Sequence, residues 1–455
     1  ARTFIFNWLY VRKHHGTMVL RIDDTDFDRN TQASLDSIYE GLNWLALGWD
    51  EVYRQSERLD LHRKLAYELL ERGLAYRDFT PASPDLEDKP HDHGPWLCNP
   101  DMRALSRPDS DARAATGEPF VIRFRVEREK PYEIVFHDQV YGAQCKLTAD
   151  IEDFALLRSN GMPTYHLASC ADDIDLKITH IIRGQDHLSN TFKHILIFQA
   201  AGKPLPHFAH LPLLTAPDGS KLSKRKHGAV VSVTTYRDHG FLAISYVNFL
   251  SLLGWSPKDN REQMTLYELT NAFSFEGVHR SNAVVNFNDE DPIDPKALWL
   301  NSQHLRSMPV ETLAPLVEQS LRRHGLEPYG EEAFFRHVVD TIRTRFSTLL
   351  DFSTKGRAYF SDDFEIDPQA LEKLNAPGAR DLLHQLADRI AATPEYTETS
   401  VEAVLRKLAE ERGVKAGILI NASRAALTGQ PVGPSAFAVF ICIGRERALQ
   451  RLRSA

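Results

Sequence analysis

The sequence predicts an α/β domain of the doubly wound kind, interrupted by an inserted α+β module and followed by an all-α C-terminal half. Three observations carry that expectation. Short apolar runs that end in polar clusters alternate with helical segments at residues 18–72 and again at 154–226, the rhythm of strand–helix–strand units. Between them, residues 79–118 are dense in Pro and Asp and lack long apolar periods. From Ser232 onward strand signals fade and helical periodicity takes over.

Taken in order, Ala1 to His15 reads as a helix through Phe4, Ile5, Trp8, Leu9 and Val11, stopped by Gly16. A helix with no lead-in is expected to have further chain before it. Met18 to Ile22 is a strand that ends in Asp23-Asp24-Thr25-Asp26. That acidic cluster can cap the helix that follows, Thr31 to Leu47, or form a ligand-binding tip at the carboxyl end of the strand. A helix from Leu59 to Arg72 leads to a strand at Leu74 to Arg77. Residues 79–118 are expected to be an irregular, exposed lead-in to a module whose strands are Pro119–Val126 and Tyr132–Val140. The α/β pattern resumes with Phe154–Arg158, Pro163–Ala168, a buried strand at Ile178–Arg183 and a helix at Thr191–Ala201. Helices are then expected at Phe241–Leu253, Leu266–Ala272, Pro295–Leu305, Val310–His324, Glu331–Leu350 and Pro434–Leu452.

The totals exclude several classes. A chain of 455 residues exceeds one hydrophobic core, so several domains are expected. No apolar run reaches the length of a membrane span, and the first residues do not have the pattern of a signal peptide. A net charge of −8 argues against a non-specific nucleic-acid coat, although a local basic face can still supply phosphate contacts. Four scattered cysteines without Cys-x-x-Cys spacing fit a reducing cytoplasm. His91, His93 and Cys98 could be three metal ligands but have no fourth nearby, so no zinc is expected.

The stretch that concentrates chemistry is Leu213 to Arg225. Pro217-Asp218-Gly219 is a tight-turn signal, and four cations follow it: Lys221, Lys224, Arg225 and Lys226. Cations on a turn are what a triphosphate needs when charge builds on its α-phosphoryl oxygens. A solvated basic turn is the plain alternative for such a short motif.

Context comes from a series of ordered motifs. They are Arg21-Ile22-Asp23-Asp24-Thr25-Asp26, Gly41-Leu42-Asn43-Trp44-Leu45, Asp153-Phe154-Ala155-Leu156-Leu157-Arg158-Ser159, Pro163-Thr164-Tyr165 and Ile182-Arg183-Gly184-Gln185-Asp186-His187. After Lys221-Leu222-Ser223-Lys224-Arg225 come Leu253-Gly254-Trp255-Ser256, Leu298-Trp299-Leu300-Asn301 and Arg424-Ala425-Ala426-Leu427-Thr428-Gly429. In this series the chain resembles the class I aminoacyl-tRNA synthetases, specifically the bacterial glutamyl-tRNA synthetases, over nearly its whole length.

The resemblance implies a Rossmann-type catalytic domain in two halves, 1–78 and 153–232, split by an acceptor-stem-binding insertion at 79–152. A stem-contact region at 233–305 and a helical anticodon-binding domain at 306–455 would follow. It implies ATP with Mg²⁺, glutamate and tRNA(Glu) as substrates, a monomer, and no zinc, since no Cys-x-Cys follows Tyr76. Lys221 and Lys224, in the KMSKS-type loop, would stabilise the α-phosphoryl transition state, and backbone groups around Leu213 and Leu214 would hold the adenine. Arg183 would pair with the substrate side-chain carboxylate, Tyr165 and Ser169 would line the same pocket, Asp23 would accept the amino group, and Arg29 would lie beside it; Tyr165 and Arg183 are expected at strand ends on the ligand face of the sheet. Arg345 and, more weakly, Arg424 would read the anticodon.

Two departures accompany the likeness. The HIGH-type signature and a preceding strand with a carboxylate-binding Arg would fall before Ala1, and Ser169 stands where relatives often have Asn. Two alternatives therefore stay open at this stage: a form that also charges tRNA(Gln), and a tRNA-binding chain without full catalysis.

Overall fold

The computed structural model describes residues 1–25, 32–81, 99–228, 232–288 and 290–455. By internal contacts the chain divides into one unit of residues 1–226 with 250–285 and a second of 227–249 with 286–455.

In the first unit, helix α1 (Arg2–Lys13) precedes strand β1 (Val19–Ile22), helix α2 (Gln32–Trp44) and strand β2 (Glu51–Arg54). β1 and β2 pair in parallel, with Arg21 opposite Tyr53. Helix α3 (Leu59–Glu71) leads to β3 (Ala75–Asp78), and the lead-in that the sequence marks as irregular contains two short helices, α4 (Pro100–Ala104) and α5 (Arg107–Ala115). Both start on a capping side chain: Asn99 accepts from the Asp101 N–H and Ser106 from the Asp109 N–H. The difference from expectation is local. Pro at the first helical position and an Asn or Ser cap suffice for one or two turns without an apolar period.

Strands β4 (Val121–Phe124), β5 (Glu133–Asp138), β6 (Gly142–Leu147) and β7 (Ala155–Leu157) follow. β3, β4 and β7 make an antiparallel sheet. Next come helix α6 (Tyr165–Asp175), β8 (His180–Gly184), helix α7 (Leu188–Ala200), β9 (His207–Leu211) and β10 (Leu214–Thr215), which pairs in parallel with β11 (Ala283–Val284). β8 and β9 are parallel, with Arg183 in register with His210. The β5–β6 hairpin of the expected insertion joins this ladder, giving the order β6-β5-β9-β8. Its junction is Asp138 against Phe208. The core of this unit gathers Leu69, Ile122, Leu156, Leu167, Ile195 and Ile197, all essentially without exposed surface, and burial of such side chains contributes about 1.5–3 kcal/mol each.

The sequence reading put Tyr165 at a strand end; it instead opens α6, with Thr164 as the extended residue before the helix. The Pro-Thr-Tyr sequence explains the change, because the chain is extended up to Thr164 and free to turn helical after it.

The second unit is helical. Pro295–Ser307, Val310–Arg323, Ala379–Ala392, Glu398–Glu411 and Ala416–Thr428 pack around Val317, Leu383, Leu386, Leu405, Leu408 and Leu419. Two expected long helices are broken. Glu331–Leu350 stops at Ile342 and a single 3₁₀ turn, Arg343–Arg345, because the Asp351 carboxylate takes the Ser347 and Thr348 N–H groups at 2.7 and 3.0 Å. Pro434–Leu452 is two helices, Ala436–Ile443 and Arg445–Ser454, divided at Gly444 with φ +84°. Among the described residues no helix is long and apolar enough to cross a membrane.

Candidate active site

β1 pairs only with β2 and β8 only with β9 among the described residues, and the open edges of β1 and β8 border a cavity of about 920 Å³. Arg21, Asp23, Tyr165, Ser169, Arg183 and His187 line it. Each arrives by elementary geometry. Arg183 is near the carboxyl end of β8, Arg21 and Asp23 at the end of β1, and Tyr165 and Ser169 are four residues apart on one face of α6.

Arg183 is held on every side. Its Nε donates to His210 Nε2 at 3.3 Å, Nη1 to the Tyr165 hydroxyl at 3.0 Å, and Nη2 to Thr191 Oγ1 at 2.7 Å and to the His187 carbonyl at 3.4 Å. His194 Nδ1 lies 3.4 Å from Nη1. Burial, reinforced by the Arg183 charge, keeps His194 well below the ordinary histidine range and therefore neutral. The guanidinium is thus fixed in place with no carboxylate among its hydrogen-bond partners in the described residues. Tyr165 is also pushed up by burial, so its hydroxyl stays protonated.

Arg21 anchors the opposite wall. Its Nε donates to Asp23 at 2.9 Å, Nη1 to Asp173 at 2.6 Å and Nη2 to Ser169 Oγ at 3.4 Å. Although burial opposes the charge, Asp173 and Asp23 hold the guanidinium above its ordinary value. Behind it, buried Asp172 accepts from Gln55 Nε2, Arg58 Nε and His62 Nε2 at 2.8–3.0 Å. Asp24 does not face the cavity. It takes the Ser56 N–H and hydroxyl at 2.8 and 2.7 Å, so this half of the acidic cluster caps the turn Gln55–Arg58.

The basic loop is a tight hairpin. The Gly219 N–H reaches the Ala216 carbonyl, the Leu222 N–H reaches the Leu214 carbonyl, and Gly219 sits at φ +79°. Lys221 Nζ lies 2.6 Å from Asp186 Oδ2, three residues beyond Arg183 in the chain. Lys226 is tied to Asp218 and Ser220 at 2.9 and 2.8 Å. Lys224 opens a one-turn helix α8 (Lys224–His227); its side chain lies outside the described residues. The Leu213 N–H is taken by Asn282 Oδ1 at 3.1 Å and its carbonyl by the Ala283 N–H at 3.0 Å. Arg29, His91, His93 and Cys98 lie outside the described residues.

In the second unit Arg345 is exposed at the end of its 3₁₀ turn, and Arg424 is half-buried, its Nη1 3.3 Å from Asn421 Oδ1. Burial lowers the Arg424 pKa, opposed by Tyr359 and reinforced by the Arg345 charge.

Comparison with known proteins gives one answer. Residues 1–291 match the family model of class I tRNA synthetases (E and Q), catalytic domain, and residues 312–455 match an anticodon binding domain. A glutamate–tRNA ligase of Solibacter usitatus is 51% identical over 465 residues, covering 100% of this chain and 95% of that one. The chain belongs to the bacterial glutamate–tRNA ligase family. Glutamate–tRNA ligase 2 of Koribacter versatilis is 44% identical over 100% of this chain and 94% of its own. A crystal structure of a glutamate tRNA ligase from Elizabethkingia meningosepticum in complex with its amino acid superposes with a TM-score of 0.84 at 28% identity, over 100% of this chain and 95% of that one. As a glutamate–tRNA ligase, the chain is an aminoacyl-tRNA ligase that joins glutamate to tRNA. The α/β catalytic region with mixed sheets and the helical C-terminal half are those of this family.

Reading the motifs alone left out Arg21, which lines the cavity, Asp186, which holds Lys221, and Asp138 and His210, which stand behind Arg183. Arg21 and Asp186 stood inside quoted motifs and could have been found there. Asp138 and His210 carried no local signal, because their meaning lies in the register of β5, β8 and β9.

Proposed function

We propose that Arg183 and Tyr165 hold the glutamate side-chain carboxylate, that Asp23 takes the amino group, and that Ser169 completes the pocket. The observation that carries this reading is Arg183 itself: a rigidly held guanidinium on a cavity wall with no carboxylate among its own hydrogen-bond partners in the described residues. A carboxylate would take the Nη1 and Nη2 N–H groups whose present contacts, to His194 Nδ1 and the His187 carbonyl, are the long ones at 3.4 Å.

The second substrate is ATP carrying Mg²⁺. A glutamate α-carboxylate oxygen attacks the α-phosphorus, pyrophosphate leaves, and glutamyl-adenylate forms. The tRNA terminal ribose hydroxyl then attacks the activated carbonyl and AMP leaves. Lys221 and Lys224 act on the negative charge that grows on the phosphates, and the backbone near Leu213 and Leu214 lies against the base. The Lys221 side chain is exposed and, among the described residues, tethered only to Asp186, which suits a cation that must move onto a phosphate.

For tRNA, residues 79–152 engage the acceptor end, 233–305 the stem, and 306–455 the anticodon through Arg345 and Arg424. For the anticodon region the reading is supported by the family match at 312–455 and by the exposed Arg345 guanidinium, a group that suits an anionic or base-edge partner. The chain acts as a monomer in the cytoplasm, where its tRNA is charged. The test is glutamylation of tRNA(Glu) and tRNA(Gln) transcripts by the wild type and by Arg183→Ala. Wild-type charging of tRNA(Glu) with glutamate only, lost with Arg183→Ala, is the expected result. Unchanged glutamate dependence in Arg183→Ala sinks the pocket assignment, and equal charging of both tRNAs sinks the selectivity.

A further inference from the structure

The surroundings of Arg183 hold a second device. His210 has no exposed surface, and neither has Asp138. His210 Nδ1 lies 2.6 Å from Asp138 Oδ2, while its Nε2 faces the Arg183 Nε–H at 3.3 Å and Thr191 Oγ1 at 3.1 Å. Arg183 has no proton-accepting group, so the contact at Nε requires an unprotonated Nε2. His210 must therefore carry its proton on Nδ1 and donate it to Asp138.

Asp138 is built to enforce this. Its Oδ1 accepts the backbone N–H groups of Val140, Tyr141 and His210 at 3.0, 2.9 and 3.3 Å. Burial disfavours its charge, yet the His210 contact and these amides hold its carboxyl below the usual range. One oxygen is pinned by the main chain, so only Oδ2 is left to face the imidazole.

We infer that Asp138, acting through His210, is a positioning residue that orients Arg183 and leaves its charge uncompensated for the substrate carboxylate. The inference rests on the proposal that Arg183 binds that carboxylate. The physical reason for the intermediary is charge. A carboxylate bonded directly to Arg183 would neutralise it and compete with the substrate. A neutral imidazole supplies the same orientation without that competition, and the Asp fixes the ring tautomer from a distance, as carboxylates do behind ligating histidines.

The arrangement also gives glutamate over glutamine. A neutral amide presents an NH₂ where Arg183 offers only donors, so glutamine forfeits a charge-assisted bond and leaves a donor unmatched. Asp138 reaches this point from the β5–β6 hairpin, on the chain segment expected to contact the tRNA acceptor end.

Asp138→Asn is the decisive variant. The three backbone N–H groups keep the amide oxygen at the Oδ1 position, so its NH₂ must face His210 Nδ1. The imidazole proton then moves to Nε2 and points at the Arg183 Nε–H, donor against donor. The expected result is a roughly 10- to 100-fold rise in KM for glutamate, with KM for ATP and for tRNA unchanged and a smaller ratio of kcat/KM for glutamate over glutamine. The ¹⁵N spectrum of histidine-labelled protein, with His210 identified by its loss in His210→Gln, should show Nδ1–H in the wild type and Nε2–H in Asp138→Asn. Thr191→Val keeps the packing and removes one Arg183 partner; it should raise KM for glutamate in the same sense, and it serves if Asp138→Asn does not fold.

A wild-type His210 protonated on Nε2 overturns the inference. So does a folded Asp138→Asn with switched tautomer and normal KM for glutamate, or a rise in all three KM values together. Arg183→Lys separates the two levels: if it leaves glutamate KM untouched, the assignment of Arg183 has failed rather than the relay behind it.

Discussion

Lys221 Nζ and Asp186 Oδ2 are 2.6 Å apart, joining the basic hairpin after β10 to the turn after β8. The pair is more than half exposed on the Lys221 side, where such an ion pair contributes only about 0–1 kcal/mol. Its role is therefore placement. Burial opposes the Asp186 charge, but the Lys221 bond and neighbouring His187 hold its carboxyl below the ordinary value, so the pair persists at neutral pH. Lys221→Ala should slow ATP–pyrophosphate exchange by about 100-fold or more while shifting stability by less than about 1 kcal/mol. Thermal melting beside exchange kinetics checks both halves.

Arg183→Lys keeps a positive charge and loses the planar fork. The cost should be about 2–4 kcal/mol in kcat/KM for glutamate, since a charged hydrogen bond goes and Tyr165, Thr191 and His210 lose their donor. Steady-state glutamylation at varied glutamate measures it. A loss under about threefold would argue that Arg183 is structural.

His166 carries a pH signature. Burial, then the Lys193 charge, lowers its pKa to about 4. The unfolded chain takes up this proton near pH 6.5 and the folded chain only near 4, so the unfolded state binds more protons between them. Stability due to His166 is thus complete above about pH 6.5, falls as pH drops toward 4, and levels off below it, by up to ~3 kcal/mol. Urea unfolding at pH 7 and at pH 4.5 should show a steeper loss for the wild type than for His166→Gln. Equal losses would mean that His166 is not buried neutral.

Gly429 closes the helix Ala416–Thr428 at φ +67°, and a Cβ there would come 2.3 Å from the Glu365 carbonyl oxygen. Its own carbonyl accepts the Asp367 N–H at 2.8 Å, so the backbone cannot retreat. Gly429→Ala should destabilise the helical unit by about 2–4 kcal/mol through left-handed strain plus the clash. Calorimetric unfolding of the purified variant tests this.

Arg345→Gln and Arg424→Gln should raise KM for tRNA and lessen its salt dependence by about one unit of slope each, leaving KM for glutamate unchanged. Arg345→Gln should in addition admit tRNA(Gln). Filter binding across a salt series, with both tRNAs, decides it.

Much of the site was legible because its residues sit in short motifs at element ends. Asp23, Tyr165, Ser169 and Arg183 do line one cavity. The strand–helix rhythm located β1, β8 and α7, and helical periodicity located most of the second unit, because amphipathic spacing is a local property. Errors came where local signals were neutral. β6, with the sequence Gly-Ala-Gln-Cys-Lys-Leu, alternates over only five residues, has no β-branched or aromatic side chain, and becomes a strand by pairing with β5. The break at Ile342 depends on an Asp351 carboxylate further along the chain.

By itself, then, the sequence determined which residues carry charge and hydroxyls, where most of the helices and several of the strands lie, and which family the motifs resemble. The tertiary structure decided what each charge meets. Arg183 faces neutral partners because β8 and β9 are in register at Arg183 and His210, and Asp138 stands behind His210 because β5 joins the same ladder. No spacing in the chain encodes those contacts. They span 27 and 72 residues and exist only when three strands align, and the protonation and orientation of a buried guanidinium's neighbours follow from that alignment.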